Sequence, residues 1–124
     1  MHPKAIGFIG KLTVTPEEEN LLKELGHSFG LSGYPTVLIP QRGANEAVRV
    51  GVEVGGGEII EIEKDTLSQS AHCFVYADER LLSRLRISDP SIDTNPKIFL
   101  LTDLDGIKEI LSAAKIVLKQ RGIS

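Results

Sequence analysis

The residues best suited to chemistry come directly after short apolar runs. Arg42 and Gly43 follow the run at 36–39, just before a segment of small residues that begins at Ala44. An arginine fork binds phosphate well, and a glycine allows the backbone a tight turn or a close approach to a ligand. If a helix starts here, its first amides also attract an anion. This turn is therefore a candidate phosphate site, and the alternative is a plain turn with a solvated arginine.

Polar residues occupy the same position after other apolar runs. In an open parallel sheet, ligands bind outside the carboxyl ends of the strands. We expect Thr102 or Asp103 to lie on the far side of such a ligand from the phosphate. The full set of expected ligand-binding or phosphate-binding residues is Gly10, Lys11, Gln41, Arg42, Gly43, Asn45, Thr102 and Asp103.

Two further patterns have simpler interpretations. Asp103 and Asp105 have the D-x-D spacing of magnesium-dependent phosphotransferases, but we favour capping of the helix that follows, so no metal is expected. Arg80, Arg84 and Arg86 form a local basic cluster that would suit phosphates. A solvated helix surface is the favoured interpretation of that cluster, because exposed charges are common.

Apolar periodicity predicts strands that alternate with helices. Thr15 and Glu18 form a capping box that marks the start of the first helix, and Pro16 occupies the first helical position. Gly30 is expected to end this helix. A strand at 48–54 is an alternative to the second helix, because its valines lower helix propensity. The predicted strands are about 4–9, 36–39, 57–63, 72–78 and 97–103, and the predicted helices are 16–30, 44–55, 79–86 and 104–120.

The alternation and the continuously apolar strands indicate the fold class α/β. We expect a single three-layer Rossmann-like domain spanning 1–124, with a mostly parallel sheet of about five strands and helices on both faces. The length of 124 residues, 41% hydrophobic and 25% charged, suits one globular domain of this kind.

Composition also limits the function classes. The net charge of −3 argues against a general nucleic-acid binder, which usually has a basic surplus. The single cysteine, Cys73, forms no internal disulfide and is expected to be a buried strand residue. No signal-peptide core or membrane-length apolar run occurs, so we expect a cytoplasmic protein with no membrane partner.

One stretch carries a family pattern of glycines. Arg42-Gly43, Gly51, Gly56-Gly57 and Ile60 match, without a gap, the pattern R-G, G, G-G and I. In this pattern the chain resembles the Rossmann-like superfamily of DNA-processing protein A and the LONELY GUY (lysine-decarboxylase-like) phosphoribohydrolases. With the opening strand, the T-x-x-E helix and the second strand, the resemblance covers roughly residues 4–62. It implies a nucleotide ligand and a homo-oligomer.

The departures from this pattern concern the catalytic groups. Pro40 and Gln41 replace the family's glycines, Asn45 stands in place of an aspartate, and Arg49 in place of a histidine. The motif P-G-G-x-G-T-x-x-E of the phosphoribohydrolases has no counterpart. The glutamate that this motif supplies for glycosidic cleavage therefore has no matched position, and no catalytic residue is assigned.

Three functions follow from these features. The leading hypothesis is a small binding protein for a nucleotide or another phosphorylated ligand, with no other cofactor. One alternative is a hydrolase of the N-glycosidic bond in nucleoside monophosphates, for which Glu46, Asp78 and Glu79 are the plausible carboxylates. The other alternative is a single-stranded DNA-binding module, as the family resemblance suggests.

Overall fold

A parallel sheet forms the centre of the molecule. The computed structural model describes residues 2–63 and 70–123. Within them the strand order is β3-β2-β1-β4-β5, and every neighbouring pair is parallel. The strands are β1 (His2–Gly10), β2 (Thr36–Leu38), β3 (Ile59–Glu61), β4 (Ser70–Tyr76) and β5 (Ile98–Leu101).

Helices cover both faces of the sheet, which confirms the three-layer α/β architecture. In the described residues they are α1 (Pro16–Leu31), α2 (Ala44–Val54), α3 (Glu79–Ser88) and α4 (Leu104–Gln120). Residues of α1, α2 and α4 share one apolar cluster with Phe8 and Leu38. Residues of α3 share a second cluster with Cys73 and Val75. Because side chains alternate along a strand, these clusters lie on opposite faces.

Helix α1 starts at the residue that the sequence predicts. The Thr15 side chain accepts a hydrogen bond from the Glu18 amide (3.1 Å), and Glu18 Oε1 accepts one from the Thr15 amide (2.9 Å). The predicted end at Gly30 is wrong by one residue, since the helix continues to Leu31. Gly30 stays inside the helix because it lies against α2, where an added Cβ would be 2.6 Å from the Val52 carbonyl oxygen.

The segment at 44–54 is a helix, not the alternative strand. Glycines let α1 and α2 approach backbone to backbone. A Cβ on Gly26 would lie 2.1 Å from the Val48 carbonyl oxygen, and one on Gly51 would lie 2.1 Å from that of Lys23. This close packing offsets the low helix propensity of the valines.

Strand ends are the least accurate part of the sequence prediction. The fourth strand ends at Tyr76 and not at Asp78, because Asp78 caps α3 by accepting a hydrogen bond from the Leu81 amide (2.9 Å). Cys73 is buried in β4, as predicted. None of the helices in residues 2–63 and 70–123 is long and apolar enough to cross a membrane.

Candidate ligand-binding edge

The strand order places a crevice at the carboxyl ends of β1 and β4. The connection from β1 goes toward β2 on one side, whereas β4 and β5 lie on the other side. Ligands of open α/β sheets bind at such a topological switch point. Lys11 follows β1 directly at this point, and its amide donates to the Tyr76 carbonyl oxygen of β4 (3.0 Å).

The turn before α2 packs on the loop after β1. Gly43 caps α2 with φ 83° and ψ −131°, a conformation that favours glycine. A Cβ here would lie 2.3 Å from the Leu12 carbonyl oxygen and 2.7 Å from that of Lys11. No side chain of a described residue caps this helix start. The turn therefore holds the first amides of α2 beside the loop at 11–13.

Asn45 and Gln41 hold the backbone of this edge in place through side-chain hydrogen bonds. Asn45 is 1% exposed; its Oδ1 accepts a hydrogen bond from the Gly10 amide (2.8 Å) and its Nδ2 donates to the Ile39 carbonyl oxygen (2.9 Å). Gln41 Nε2 donates to the Gly10 carbonyl oxygen (3.1 Å). Both side chains tie the ends of β1 and β2 together, so their groups are engaged with backbone rather than directed to a ligand.

Arg42 faces a cleft between the first turns of α1 and α2. This Arg42 cleft has a volume of about 630 Å³. Two carboxylates line it, and each pairs with a cation: Glu19 pairs with Lys23 (3.0 Å), and Glu46 pairs with Arg49 (2.5 Å), which also pairs with Glu53 (2.7 Å). The Arg42 guanidinium is exposed and forms no ion pair with any residue in the described ranges. Among the described residues that line this cleft, Arg42 is therefore the cation that is left to pair with a ligand.

A buried ionic cluster lies beside the crevice. Glu18 Oε2 is 2.7 Å from Lys11 Nζ, and it also accepts a hydrogen bond from the Tyr76 hydroxyl. The Glu18 side chain is 7% exposed and that of Lys11 is 24% exposed. Lys11 Nζ also lies 4.9 Å from the centre of the Tyr76 ring, within the range of a cation–π contact. An ammonium has three donors, so Lys11 retains donors for a ligand.

The cluster shifts the pKa values of its acids in opposite directions. Burial alone would raise the pKa of Glu18, but hydrogen bonds from Lys11, Tyr76 and Thr15 outweigh it and lower that pKa to about 2. Burial, together with the hydrogen bond to Glu18, raises the pKa of Tyr76. At neutral pH, Glu18 is therefore a carboxylate, Tyr76 is a neutral phenol, and Lys11 is compensated.

The opposite half of the edge is acidic. Asp103 caps α4 by accepting a hydrogen bond from the Gly106 amide (2.8 Å), which confirms the capping interpretation of the D-x-D pattern. Asp105 lies in the first turn of that helix, and Thr102 is exposed. Within residues 2–63 and 70–123, no group of three or more His, Cys, Asp or Glu side chains could hold a metal ion.

The arginines of α3 face solvent. Arg86 forms a two-pronged pair with Asp93 (2.9 and 3.0 Å), which lowers the pKa of Asp93 and raises that of Arg86. Arg80 and Arg84 are exposed and have no carboxylate partner in the described part of the chain. The solvated surface that we favoured accounts for this cluster.

The carboxylates considered for glycosidic hydrolysis are spread along the edge. Glu46 hydrogen bonds with Arg49, which lowers the pKa of Glu46. Asp78 caps α3, and Glu79 is exposed in the first turn of the same helix. The lowered pKa of Glu46 is opposite to the raised pKa that a general acid needs at neutral pH.

Sequence reasoning missed two members of the ionic cluster. Glu18 is recognisable as a capping residue, but its second oxygen binds Lys11, which the local pattern does not indicate. Tyr76 is 58 positions from Glu18, and only the pairing of β1 with β4 brings it to the crevice. A tyrosine at the end of a predicted apolar strand was the available signal.

The fold and the edge define a small Rossmann-like α/β domain. No protein-family model matches the chain, and no curated protein sequence matches it. Solved structures do share its architecture, and the chain aligns with almost all of their length.

The similar structures include those of the molybdenum cofactor carrier protein from Chlamydomonas reinhardtii. One has a TM-score of 0.61 at 12% identity, over 93% of this chain and 99% of the other. A second has a TM-score of 0.54 at 13% identity, over 94% and 98% of the two chains. At such low identity the likeness concerns the fold alone.

Proposed function

We propose that this protein binds a small phosphorylated ligand, such as a nucleotide, at the carboxyl edge of its sheet. The observation that carries the proposal is Arg42, an exposed cation without an ion pair among the described residues. It lines a cleft beside the start of α2, where the Ala44 amide already donates to the Lys11 carbonyl oxygen. A guanidinium and a row of helix amides are complementary to a phosphate group.

Charge along the edge sets the direction of the ligand. On the side of β1 and β2, Arg42 forms no ion pair among the described residues, and Lys11, although paired with Glu18, has further N–H donors for an anion. Asp78 and Asp103 lie at the ends of β4 and β5, where carboxylates accept hydrogen bonds from sugar hydroxyls or amines. A ligand with a phosphate at one end and hydroxyls at the other fits this polarity.

The similar structures support a carrier or binding role. Proteins of the same fold are carriers of the molybdenum cofactor, so an architecture of this size is adequate to hold a small cofactor. The ligand panel for this chain therefore includes that cofactor beside nucleoside mono-, di- and triphosphates.

Isothermal titration with this panel tests the proposal. We expect at least one phosphorylated ligand to bind, and we expect Arg42→Ala to weaken it roughly tenfold to a hundredfold, since a charge-assisted hydrogen bond is lost. Arg84→Ala is the matched control. It removes the same exposed charge from α3 and should leave the affinity within twofold.

Two results would contradict the proposal. One is that no ligand of the panel binds the folded protein. The other is that Arg42→Ala and Arg84→Ala weaken a bound ligand equally, because then only the net charge of the protein matters and not the Arg42 cleft.

A further inference from the structure

A second concave surface lies at the amino edge of the sheet, opposite the proposed phosphate site. Helices α1 and α4 begin at the carboxyl edge and run back, so their C-terminal halves reach the starts of the strands. Between these halves lies an open groove of about 630 Å³ over β1, β4 and β5. We name it the aromatic groove after Phe29, Phe74 and Phe99, and none of the predicted ligand-binding residues lines it.

Stacked rings form the floor of the aromatic groove. The centroids of Phe29 and Phe74 are 5.2 Å apart, and those of Phe74 and Phe99 are 4.9 Å apart at 17° between planes. Phe99, in the edge strand β5, is 38% exposed. Helix α4 lines the groove with Ile110, Ala113, Ala114, Val117 and Leu118, of which the two alanines have the smallest side chains.

The charge at the mouth of the groove has one sign. Among the described residues that line it, the charged ones are Lys4 and Arg121. The Arg121 guanidinium lies 5.6 Å from the centre of the Tyr34 ring. Neither cation forms an ion pair with another residue in the described ranges. An apolar floor beside two cations that have no ion pair in the described ranges is complementary to a ligand with an apolar body and an anionic headgroup.

Carbonyl oxygens at the C-terminal ends of both helices accept hydrogen bonds from the chain itself. The last carbonyls of α4 accept hydrogen bonds from the amides of Arg121, Gly122 and Ile123. Ser32 closes α1 in the same way through its amide and its hydroxyl. These carbonyl oxygens therefore have partners within the chain, and the groove offers a ligand the side chains of Lys4 and Arg121.

We propose that the aromatic groove binds an amphipathic carboxylate, a small molecule with an apolar body and one acidic headgroup. The body lies on the phenylalanine stack, and the headgroup pairs with Arg121 and Lys4. The groove volume is within the range of small-molecule sites, roughly 300–1,000 Å³. This site is separate from the phosphate site and does not depend on it.

Displacement of a fluorescent probe tests this proposal. Anilinonaphthalene sulfonate should bind the folded protein, and dodecanoate below its micelle concentration should displace it. Dodecanol and dodecyltrimethylammonium have the same chain with a neutral and a cationic headgroup, and each should compete at least roughly tenfold less well than dodecanoate.

Matched variants locate the site. Arg121→Glu should weaken dodecanoate roughly tenfold or more, whereas Lys119→Glu, with the same charge change on an exposed residue outside the groove, should leave it within twofold. Ala113→Phe fills the groove and should abolish probe binding, whereas Ser112→Phe should not. All four positions are exposed, and circular dichroism verifies that each variant is folded.

Three results would overturn the proposal. The first is a failure of dodecanoate to displace the probe. The second is equal competition by all three headgroups, which would indicate an unspecific apolar surface. The third is a dimer in sedimentation that Ala113→Phe dissociates and that binds no dodecanoate, because then a second copy of the chain fills the groove.

Discussion

Glu18 connects three parts of the molecule through one carboxylate. One oxygen completes the cap of α1 through the Thr15 amide, and the other binds Lys11 and the Tyr76 hydroxyl. Removing one partner of a buried charge costs more than the pair itself contributes, because the other charge is left desolvated. Glu18 therefore stabilises the crevice only while it is ionised.

The lowered pKa of Glu18 predicts an acid-sensitive stability. Its ordinary pKa of 4.5 falls to about 2 in the folded protein, so between these values the unfolded chain binds more protons. The carboxylate's contribution is present above about pH 4.5 and is lost as the pH falls toward 2, by on the order of 3 kcal/mol. Urea unfolding between pH 7 and 2.5 measures this loss.

Two glutamine variants separate this effect from general acid unfolding. Glu18→Gln should be less stable at pH 7 and should show a shallower fall in unfolding free energy below pH 4.5. Glu17→Gln, which changes an exposed residue of the same helical turn, should keep the slope of the natural protein. Identical slopes for all three proteins would show that Glu18 does not carry the acid sensitivity.

Helices α1 and α2 pack closely because glycines at their contact have no side chain. Gly26 and Gly51 each face a carbonyl oxygen of the partner helix, and an added Cβ at either position would lie 2.1 Å from it. Backbone atoms cannot move aside as the end of a flexible side chain can. The α1–α2 contact therefore fixes α2, and α2 fixes the turn at Arg42 and Gly43.

Gly51→Ala should destabilise the protein despite the higher helix propensity of alanine. The propensity gain is about 1 kcal/mol, and forced overpacking costs about 1–3 kcal/mol, with the upper end expected against backbone. We expect a net loss of about 2 kcal/mol in urea unfolding.

Gly106→Ala is the control for this substitution. Gly106 lies in the first turn of α4, and its nearest non-bonded neighbour to an added Cβ is 3.4 Å away. This variant should be neutral or up to about 1 kcal/mol more stable. Equal effects at Gly51 and Gly106 would contradict the close helix contact.

Local signals predict elements well because they act over a few residues. The capping box at Thr15 and Glu18 and the apolar stripe at 104–120 are complete within single helices, and both predictions are confirmed. The predicted strand end at Asp78 is wrong because a local pattern does not distinguish a capping aspartate from a strand residue until the next helix is placed.

The order of the strands in the sheet depends on pairings between distant segments, which no local pattern encodes. The sequence predicts a parallel sheet, but the position of β1 between β2 and β4 comes only from the fold. That order brings Tyr76 to Lys11, and it separates the Arg42 cleft from the aromatic groove at opposite edges of the sheet. The predicted strand-end residues therefore share one edge, although the side chains of Asn45 and Gln41 hydrogen bond with the backbone.

The charged residues along the carboxyl edge of the sheet fit a ligand whose two ends differ in chemistry. Within a net charge of −3, Lys11 and Arg42 follow β1 and β2, and Asp78 and Asp103 follow β4 and β5. Because backbone amides respond to nearby ligands, their resonances can report which part of the surface an anion prefers.

The most direct measurement is a titration of the ¹⁵N-labelled protein with pyrophosphate, followed by amide chemical shifts. A phosphate site at the carboxyl edge predicts saturable shifts that are largest at Gly43, Asn45 and Glu46 and at Lys11, and that disappear in Arg42→Ala. Absence of saturable shifts at these amides, or shifts centred on the amino edge around Tyr34 and Arg121, would contradict a phosphate site at the Arg42 turn.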